Sequence, residues 1–302
     1  MGRVYEALNK TGKTSAPNGT DAGREREALL ADEERLRDPE ARDFSFVPYS
    51  LEAPTLTEIH RTRKENEFAW ESRSQMTQPS RSVELDQGRI DRRLTPSYES
   101  TARMSDEFNR AAIAMISAAS ERPIKKILVT SADHGSGKTL TAINLAFALA
   151  RAKKRVLLVD CDLHRPSILR MLALETDIGL SEMTNTGVRP GEGAIKLMPS
   201  GVTVIPMRAP IENSAELLGN SGFRSLLTAF EPDYDFMLFD SSPLLHSADA
   251  NLLAGLTDQA ILVISAGSIT SSQLGRAIAA LNKEQVLGVV LNRFHQGTGA
   301  IS

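Results

Sequence analysis

The sequence predicts a doubly wound α/β domain built on a mostly parallel sheet. From residue 104 onward, apolar runs of strand length alternate with segments of helical period. The runs are continuously apolar rather than alternating, which is typical of strands buried on both faces of a sheet. A glycine-rich turn joins the first run to the first long apolar helix, and acidic residues end two later runs. Such residues mark the ligand-binding edge of an open α/β sheet.

The predicted elements follow one another in regular order. Strands are assigned from apolar runs and helices from a period of about 3.6 residues. The predicted strands span residues 126–130, 155–160, 202–206, 235–240, 259–265 and 287–292. The predicted helices span residues 105–119, 216–230, 248–256 and 271–282, and two more begin at residues 138 and 166.

Residues 1–103 are predicted to be a long, mostly disordered N-terminal tail, and residues 104–302 the folded domain. The tail is rich in Arg, Glu, Asp, Ser and Pro, so it cannot bury enough apolar surface to offset the entropy of ordering. Its residues 1–10 form a short amphipathic peptide, which is either a transient helix or a docking peptide that folds against another surface. Residues 44–98 show no sustained period and stay unassigned.

Composition excludes several classes of protein. The net charge of -3 gives no support for nucleic-acid binding. The single Cys161 excludes an intramolecular disulfide and lies in an apolar run, which favours a buried thiol and a cytosolic compartment. No apolar run approaches the roughly 18 residues that a membrane span needs. We therefore expect no direct membrane span, and any membrane association would come through a partner.

A phosphate-binding loop is predicted at residues 131–139, which read Ser-Ala-Asp-His-Gly-Ser-Gly-Lys-Thr. The motif normally starts with glycine where Ala132 stands, but its Gly-Lys-Thr end is intact. Backbone N–H groups of such a turn converge on an anion, and a lysine and the helix N-terminus complete the site. The loop therefore predicts binding of ATP or GTP. The expected nucleotide contacts are Asp133, His134, Gly135, Ser136, Gly137, Lys138, Thr139 and Leu140.

Three aspartates are predicted at the same edge of the sheet. Asp160 and Asp162 flank Cys161, so both carboxylates point to one side of an extended strand. Asp240 ends a later apolar run. Carboxylates beside a phosphate loop can ligate magnesium and accept a proton. The alternative, an ordinary solvated strand end, is disfavoured by the position at the ligand edge of the sheet.

The remaining polar candidates are weaker. The five histidines show no metal-ligand spacing, and His134 is expected to face outward. Acyl transfer is excluded because neither a Gly-x-Ser-x-Gly motif nor a Cys/His dyad occurs. Asn292 ends the last predicted strand, where its amide could pair with an adenine edge or serve as a turn residue.

Three segments together resemble the bacterial tyrosine kinases of capsular and exopolysaccharide synthesis, which have the P-loop NTPase fold. They are Thr-Ser-Ala-x-x-Gly-x-Gly-Lys-Thr at 130–139, Val-Leu-Leu-Val-Asp-x-Asp-Leu-x-Arg-Pro at 156–166, and Tyr-Asp-Phe-x-x-x-Asp-x-x-Pro at 234–243. The resemblance covers nearly all of residues 105–293. The opening Gly-Arg-Val-Tyr-Glu-Ala-Leu at 2–8 also resembles the N-terminal peptide of long-tailed members.

The resemblance implies phosphoryl transfer from ATP, with magnesium, to tyrosine. The catalytic residues would be Lys138, Asp160 and Asp162, with Lys138 on the phosphates and Asp162 acting as base on the tyrosine hydroxyl. Asn292 would contact the nucleotide base. The metal ligands would be Thr139, Asp160 and Asp240.

The resemblance also implies a partner, a membrane-embedded polysaccharide chain-length regulator, or co-polymerase, that activates the kinase. The chain would then be cytoplasmic and peripheral to the inner face of the plasma membrane. A homo-oligomer is possible, since family members carry a Glu-x-x-Arg-x-x-Arg helix. Glu107 and Arg110 match that motif, whereas Ile113 replaces its second arginine.

Two departures from the family keep other functions open. His164 stands where arginine is common, and residues 293–302 lack the family's C-terminal tyrosine cluster. The tyrosines are Tyr5, Tyr49, Tyr98 and Tyr234. Any self-phosphorylation would therefore involve the N-terminal region. One alternative is a catalytically weak, ATP-binding regulator of the polysaccharide machinery. Another is a positioning ATPase of the chromosome- or septum-partitioning type, although Asp133 stands where such proteins carry a second lysine.

Overall fold

The computed structural model describes residues 76–95, 102–184, 188–267, 269–281 and 283–293. All of them belong to one compact unit, Thr57–Ser302. The amphipathic peptide predicted at residues 1–10 and most of the predicted tail lie outside these ranges.

Eight strands form one sheet in the order β1-β4-β5-β3-β6-β2-β7-β8. The strands are β1 (Arg81–Glu84), β2 (Lys126–Ser131), β3 (Val156–Cys161), β4 (Ile195–Met198), β5 (Thr203–Ile205), β6 (Phe236–Ser241), β7 (Gln259–Ser265) and β8 (Val286–Asn292). Every neighbouring pair is parallel except β4 and β5, which are antiparallel. The prediction of a mostly parallel, doubly wound sheet is confirmed.

Eight α-helices connect the strands within the described ranges. They are α1 (Ala102–Glu121), α2 (Lys138–Arg151), α3 (Ile168–Met171), α4 (Leu180–Met183), α5 (Ser214–Gly219), α6 (Ser221–Phe230), α7 (Asp249–Ala254) and α8 (Ser271–Ala280). The single helix predicted over 216–230 is wrong. It is two helices, because the backbone turns out of the helical conformation at Asn220, whose side chain then accepts a hydrogen bond from Gly222 N at 2.9 Å and caps α6.

The sheet has an apolar core on each face. On β3, Leu157 and Val159 pack into one core, whereas Val156 and Leu158 pack into the other. Alternate residues of a strand point to opposite faces, so a strand covered on both sides needs apolar residues throughout. This is the physical origin of the continuous apolar runs in the sequence.

The stretch 76–95 joins the fold, whereas the sequence predicts that it is part of the disordered tail. Strand β1 pairs in parallel with β4, and Ile90 and Leu94 are buried in the core beneath α1 and α2. A short strand with one apolar residue, Val83, carries no readable periodicity. Its strand conformation depends on hydrogen bonds to β4. The local sequence contains no signal for this pairing of β1 with β4.

A buried asparagine fixes the end of this stretch. Asn144 on α2 accepts hydrogen bonds from Thr95 N at 2.8 Å and from Thr95 Oγ1 at 2.9 Å. Its Nδ2 donates to the carbonyl of Arg93 at 3.1 Å. The Asn144 side chain is fully buried, so these bonds replace its hydration.

Asn144→Ala is expected to lower the free energy of unfolding by about 1–3 kcal/mol, because it leaves buried backbone groups without partners. Urea unfolding measures the loss. The matched control is Asn251→Ala, at an exposed position of α7, which should change stability by less than about 0.5 kcal/mol. Equal effects of the two substitutions would contradict the role given to Asn144.

Candidate active site

The loop between β2 and α2 is a tight turn that closes on itself. Gly135 and Gly137 have φ values of 71° and 90°, in the left-handed region that glycine adopts without a Cβ clash. The hydroxyls of Ser131 and Ser136 both donate to the carbonyl of Asp133, at 2.6 and 2.8 Å. These bonds hold the loop in one shape.

The loop leaves backbone N–H groups available for an anion. Within the described ranges, the N–H groups of residues 135–137 donate to no protein atom. Lys138 begins the 14-residue helix α2 and is largely buried. The first N–H groups of a helix have no intrahelical partner, and the helix dipole favours negative charge there. The loop therefore has the polarity of a phosphate site, as the sequence predicts.

The three predicted aspartates meet beside this loop. Asp160 and Asp240 are directly opposed residues of the neighbouring strands β3 and β6, and both are fully buried. Asp162, one residue beyond β3, is 6% exposed. Asp160 accepts hydrogen bonds from the backbone N–H groups of Ser167 and Ile168, at 3.2 and 3.1 Å.

Asp240 has no comparable partners. Neither of its carboxylate oxygens has a partner in hydrogen-bond geometry among the described residues, the neighbouring Thr139 hydroxyl included. Burial raises the pKa of Asp240 to about 7, although the Lys138 ammonium and the Thr139 hydroxyl oppose the rise. A buried carboxylate without partners is costly, and a cation beside it would offset that cost.

The pKa of Asp160 is raised well above its usual range. Burial is the main cause, and the neighbouring Asp240 charge adds to it. The N–H groups of Ile168 and Ser167 act in the opposite direction. Two adjacent buried carboxylates cannot both be ionised cheaply, so the pair favours either a proton or a cation.

The predicted metal ligands Thr139, Asp160 and Asp240 lie in one neighbourhood. Ser167 Oγ donates to Thr139 Oγ1 at 3.1 Å, which ties the start of α2 to the segment after β3. The described residues contain no cluster of three His, Cys, Asp or Glu side chains able to hold a metal ion. Two carboxylates and a hydroxyl suit magnesium, which commonly takes its other ligands from phosphate and water.

Two histidines stand at the rim of the loop. Asp133 accepts a hydrogen bond from His134 N at 2.6 Å, and His246 Nε2 lies 2.9 Å from its Oδ1. The hydrogen bond from His134 N is the main cause that lowers the pKa of Asp133. The rings of His134 and His246 lie 4.9 Å apart, and His134 faces outward as expected. Sequence reasoning missed His246, because only the fold brings the segment after β6 to the loop.

A second polar cluster lies at the same edge of the sheet and was also missed. Ser214 Oγ donates to Asp249 Oδ1 at 2.8 Å, and His164 Nε2 lies 3.0 Å from Asp249 Oδ2 without hydrogen-bond alignment. One sequence signal was His164, which stands in place of the family's arginine.

Asn292 lies against the loop rather than away from it. Its Nδ2 donates to the carbonyl of Ser136 at 2.9 Å. Leu140 follows in the first turn of α2 and is partly buried. The structure thus brings every predicted site residue to one edge of the sheet, and their roles in nucleotide and metal binding stay predictions.

Comparison with known proteins agrees with this site. Residues 127–300 match the family model of the CobQ/CobB/MinD/ParA nucleotide binding domain. The tyrosine-protein kinase YwqD of Bacillus subtilis (strain 168) is 32% identical over 214 residues, which cover 68% of this chain and 87% of that protein. The putative tyrosine-protein kinase CapB of Staphylococcus aureus is 27% identical over 192 residues, covering 63% of this chain and 84% of that protein.

A solved structure, the VpsO kinase domain, aligns with a TM-score of 0.56 and 27% identity. The alignment covers 65% of this chain and the whole of that one. The site is that of a P-loop nucleotide-binding protein, and the chain belongs to the CobQ/CobB/MinD/ParA nucleotide-binding family and, within it, to the bacterial tyrosine kinases. The resemblance inferred from the sequence is confirmed.

Among the helices of the described ranges, none combines the length and the apolar character that crossing a bilayer requires.

The buried acid pair predicts a pH dependence of the metal-free protein. Because the folded-state pKa of Asp240 is raised from 3.8 to about 7, the stability that its protonation contributes is fully present below pH 3.8 and is lost as the pH rises through 7. Asp240→Asn stays neutral at every pH. Between pH 5.5 and pH 8, the free energy of unfolding of this variant should therefore rise relative to that of the parent by on the order of 1–2 kcal/mol.

Urea unfolding with a chelator present measures this difference. The control Asp106→Asn changes an exposed carboxylate on α1 and should keep the parent's pH dependence. Identical pH dependences for the parent and Asp240→Asn would contradict the assignment.

Proposed function

We propose that the chain is an ATP- and magnesium-dependent protein-tyrosine kinase that regulates polymerisation and export of a capsular polysaccharide or exopolysaccharide. The observation that carries the proposal is the buried Asp240 carboxylate, which has no hydrogen-bond partner among the described residues, beside a loop whose N–H groups are available to an anion. A cation and a polyphosphate together would complement both features. The tyrosine-kinase relatives supply the reaction class.

The residues present fit ATP and magnesium. Lys138 and the loop N–H groups would hold the phosphates, while Asn292 adjoins the loop. Bound magnesium would neutralise phosphate charge and lower the barrier to transfer. The ligands proposed for it are Thr139, Asp160 and Asp240.

Asp162 is the proposed general base. One of its oxygens accepts from Arg165 N at 3.2 Å, and the other accepts no hydrogen bond from a described residue. The tyrosine oxygen would bond to the terminal phosphorus of ATP as the bond to the ADP oxygen breaks. The hydroxyl proton would pass to the Asp162 carboxylate, leaving phosphotyrosine and ADP.

The acceptor is proposed to be a tyrosine outside the described residues or on another protein. Tyr234 precedes β6, is 7% exposed, and has its pKa raised to about 12 by burial. Its hydroxyl is therefore a poor acceptor. This leaves Tyr5, Tyr49 and Tyr98, or a tyrosine of another protein, as acceptors.

The proposed partner is a membrane-embedded polysaccharide chain-length regulator that activates the kinase and holds it at the inner face of the plasma membrane. Because Tyr234 is buried, a catalytically weak, ATP-binding regulator is the alternative function. The positioning-ATPase alternative has less support. Asp133, which contacts His246, occupies the loop position where such ATPases carry a second lysine.

Incubation of the full chain with labelled ATP and magnesium tests the proposal. The parent should label tyrosine. Asp162→Asn should still bind ATP but transfer phosphate at least about 100-fold more slowly, because the general base is lost. Lys138→Met should lose both binding and transfer, whereas the control Lys196→Met, at an exposed lysine of β4, should match the parent.

Two further results separate the alternatives. Tyr234→Phe should keep full labelling, and the combined Tyr5→Phe, Tyr49→Phe, Tyr98→Phe variant should lose self-labelling. If the parent binds ATP but labels no tyrosine, with or without the cytosolic segment of a chain-length regulator, the kinase proposal is wrong. The chain is then the catalytically weak, ATP-binding regulator.

A further inference from the structure

Asn292 occupies a fixed place at the end of the edge strand β8. It pairs in register with Ser265 of β7, and its carbonyl accepts from Ala266 N at 2.9 Å. The backbone position of Asn292 is therefore set by the sheet. Its side chain extends from this fixed point to the neighbouring loop.

Both ends of the Asn292 amide are engaged. Nδ2 donates to the carbonyl of Ser136 at 2.9 Å, and Oδ1 accepts from Arg293 N at 2.8 Å. The opposite orientation would place Oδ1 against the Ser136 carbonyl oxygen, so the two partners define how the amide is turned. The Asn292 side chain therefore binds the loop in one orientation, with Nδ2 as the donor.

The contact is also sterically close. A Cβ atom added at Gly137 would lie 2.1 Å from Asn292 Nδ2. Gly137 is therefore required twice, for its positive φ and for the room that the amide occupies. The Asn292 side chain and the backbone of the loop fit against each other directly.

The bond to Ser136 determines where the next N–H points. A peptide unit is planar and trans, so its C=O and N–H point in opposite directions. With the Ser136 carbonyl turned toward Asn292, the N–H of Gly137 points away from β8, where it meets no protein acceptor among the described residues. That N–H is thus held ready for an anion.

We propose that Asn292 is a positioning residue that fixes the Ser136–Gly137 peptide so that the Gly137 N–H faces the bound phosphates. This differs from the base contact that the family resemblance implies for Asn292. The inference rests on the proposed function, because it concerns how the same loop binds the phosphates of a nucleotide. Its consequence is that Asn292 contributes to affinity whether or not the ligand carries a base.

Calorimetry with the full chain, magnesium and two ligands, ATP and inorganic tripolyphosphate, tests this inference. Asn292→Ala should weaken the binding of both ligands by a similar factor, about threefold to tenfold, the effect of one hydrogen bond. Asn292→Asp keeps the shape but places an acceptor against the Ser136 carbonyl. It should weaken both ligands at least as much.

Leu291→Ala is the control, since its side chain is 51% exposed on the same strand and is not placed in the site. It should leave both affinities unchanged. Thermal unfolding confirms that each variant is folded, and the isosteric Asn292→Asp keeps the test decisive if Asn292→Ala does not fold.

Three results would overturn the inference. Loss of ATP affinity with unchanged tripolyphosphate affinity would assign Asn292 to the base, and unchanged affinity for both ligands would remove it from the site. A parent that binds neither ligand would defeat the proposed function itself, and is recognised without any variant.

Discussion

Two carboxylates buried side by side are the constraint on which this site depends. Asp160 and Asp240 are opposed across β3 and β6, and burial raises the pKa of both. Asp160 has backbone N–H partners, whereas Asp240 has none among the described residues. The sheet thus positions a pair of acids that is stable when protonated or when a cation lies beside it. The fold places this energetically costly pair of acids beside the phosphate loop.

The phosphate loop complements the acid pair. Hydroxyl groups at its two ends bind the Asp133 carbonyl, and Asn292 binds the Ser136 carbonyl from the edge strand. Carbonyl oxygens are thereby engaged by protein donors, while the N–H groups of residues 135–137 meet no acceptor in the part of the chain that the structure describes. One side of the site attracts a cation and the other an anion. A metal–polyphosphate complex has both charges in one ligand.

Much of this arrangement could be predicted from the sequence, because it depends on local signals. Continuous apolar runs revealed the buried parallel sheet, and the Gly-Lys-Thr end of the loop and the acids after apolar runs placed the site at its edge. Contacts between distant segments could not be predicted. Strand β1 is held by β4, His246 reaches Asp133 through the fold, and Asn292 bonds to a backbone carbonyl that no sequence pattern marks.

The central claim is that Asp240, buried beside Asp160, holds a proton that a bound cation displaces. Calorimetry of ATP binding with magnesium at pH 6.5, in buffers of different ionisation enthalpy, counts the protons released. The parent should release about one proton more than Asp240→Asn, since protons of the nucleotide cancel in the comparison. Equal proton release from the two proteins would contradict the account.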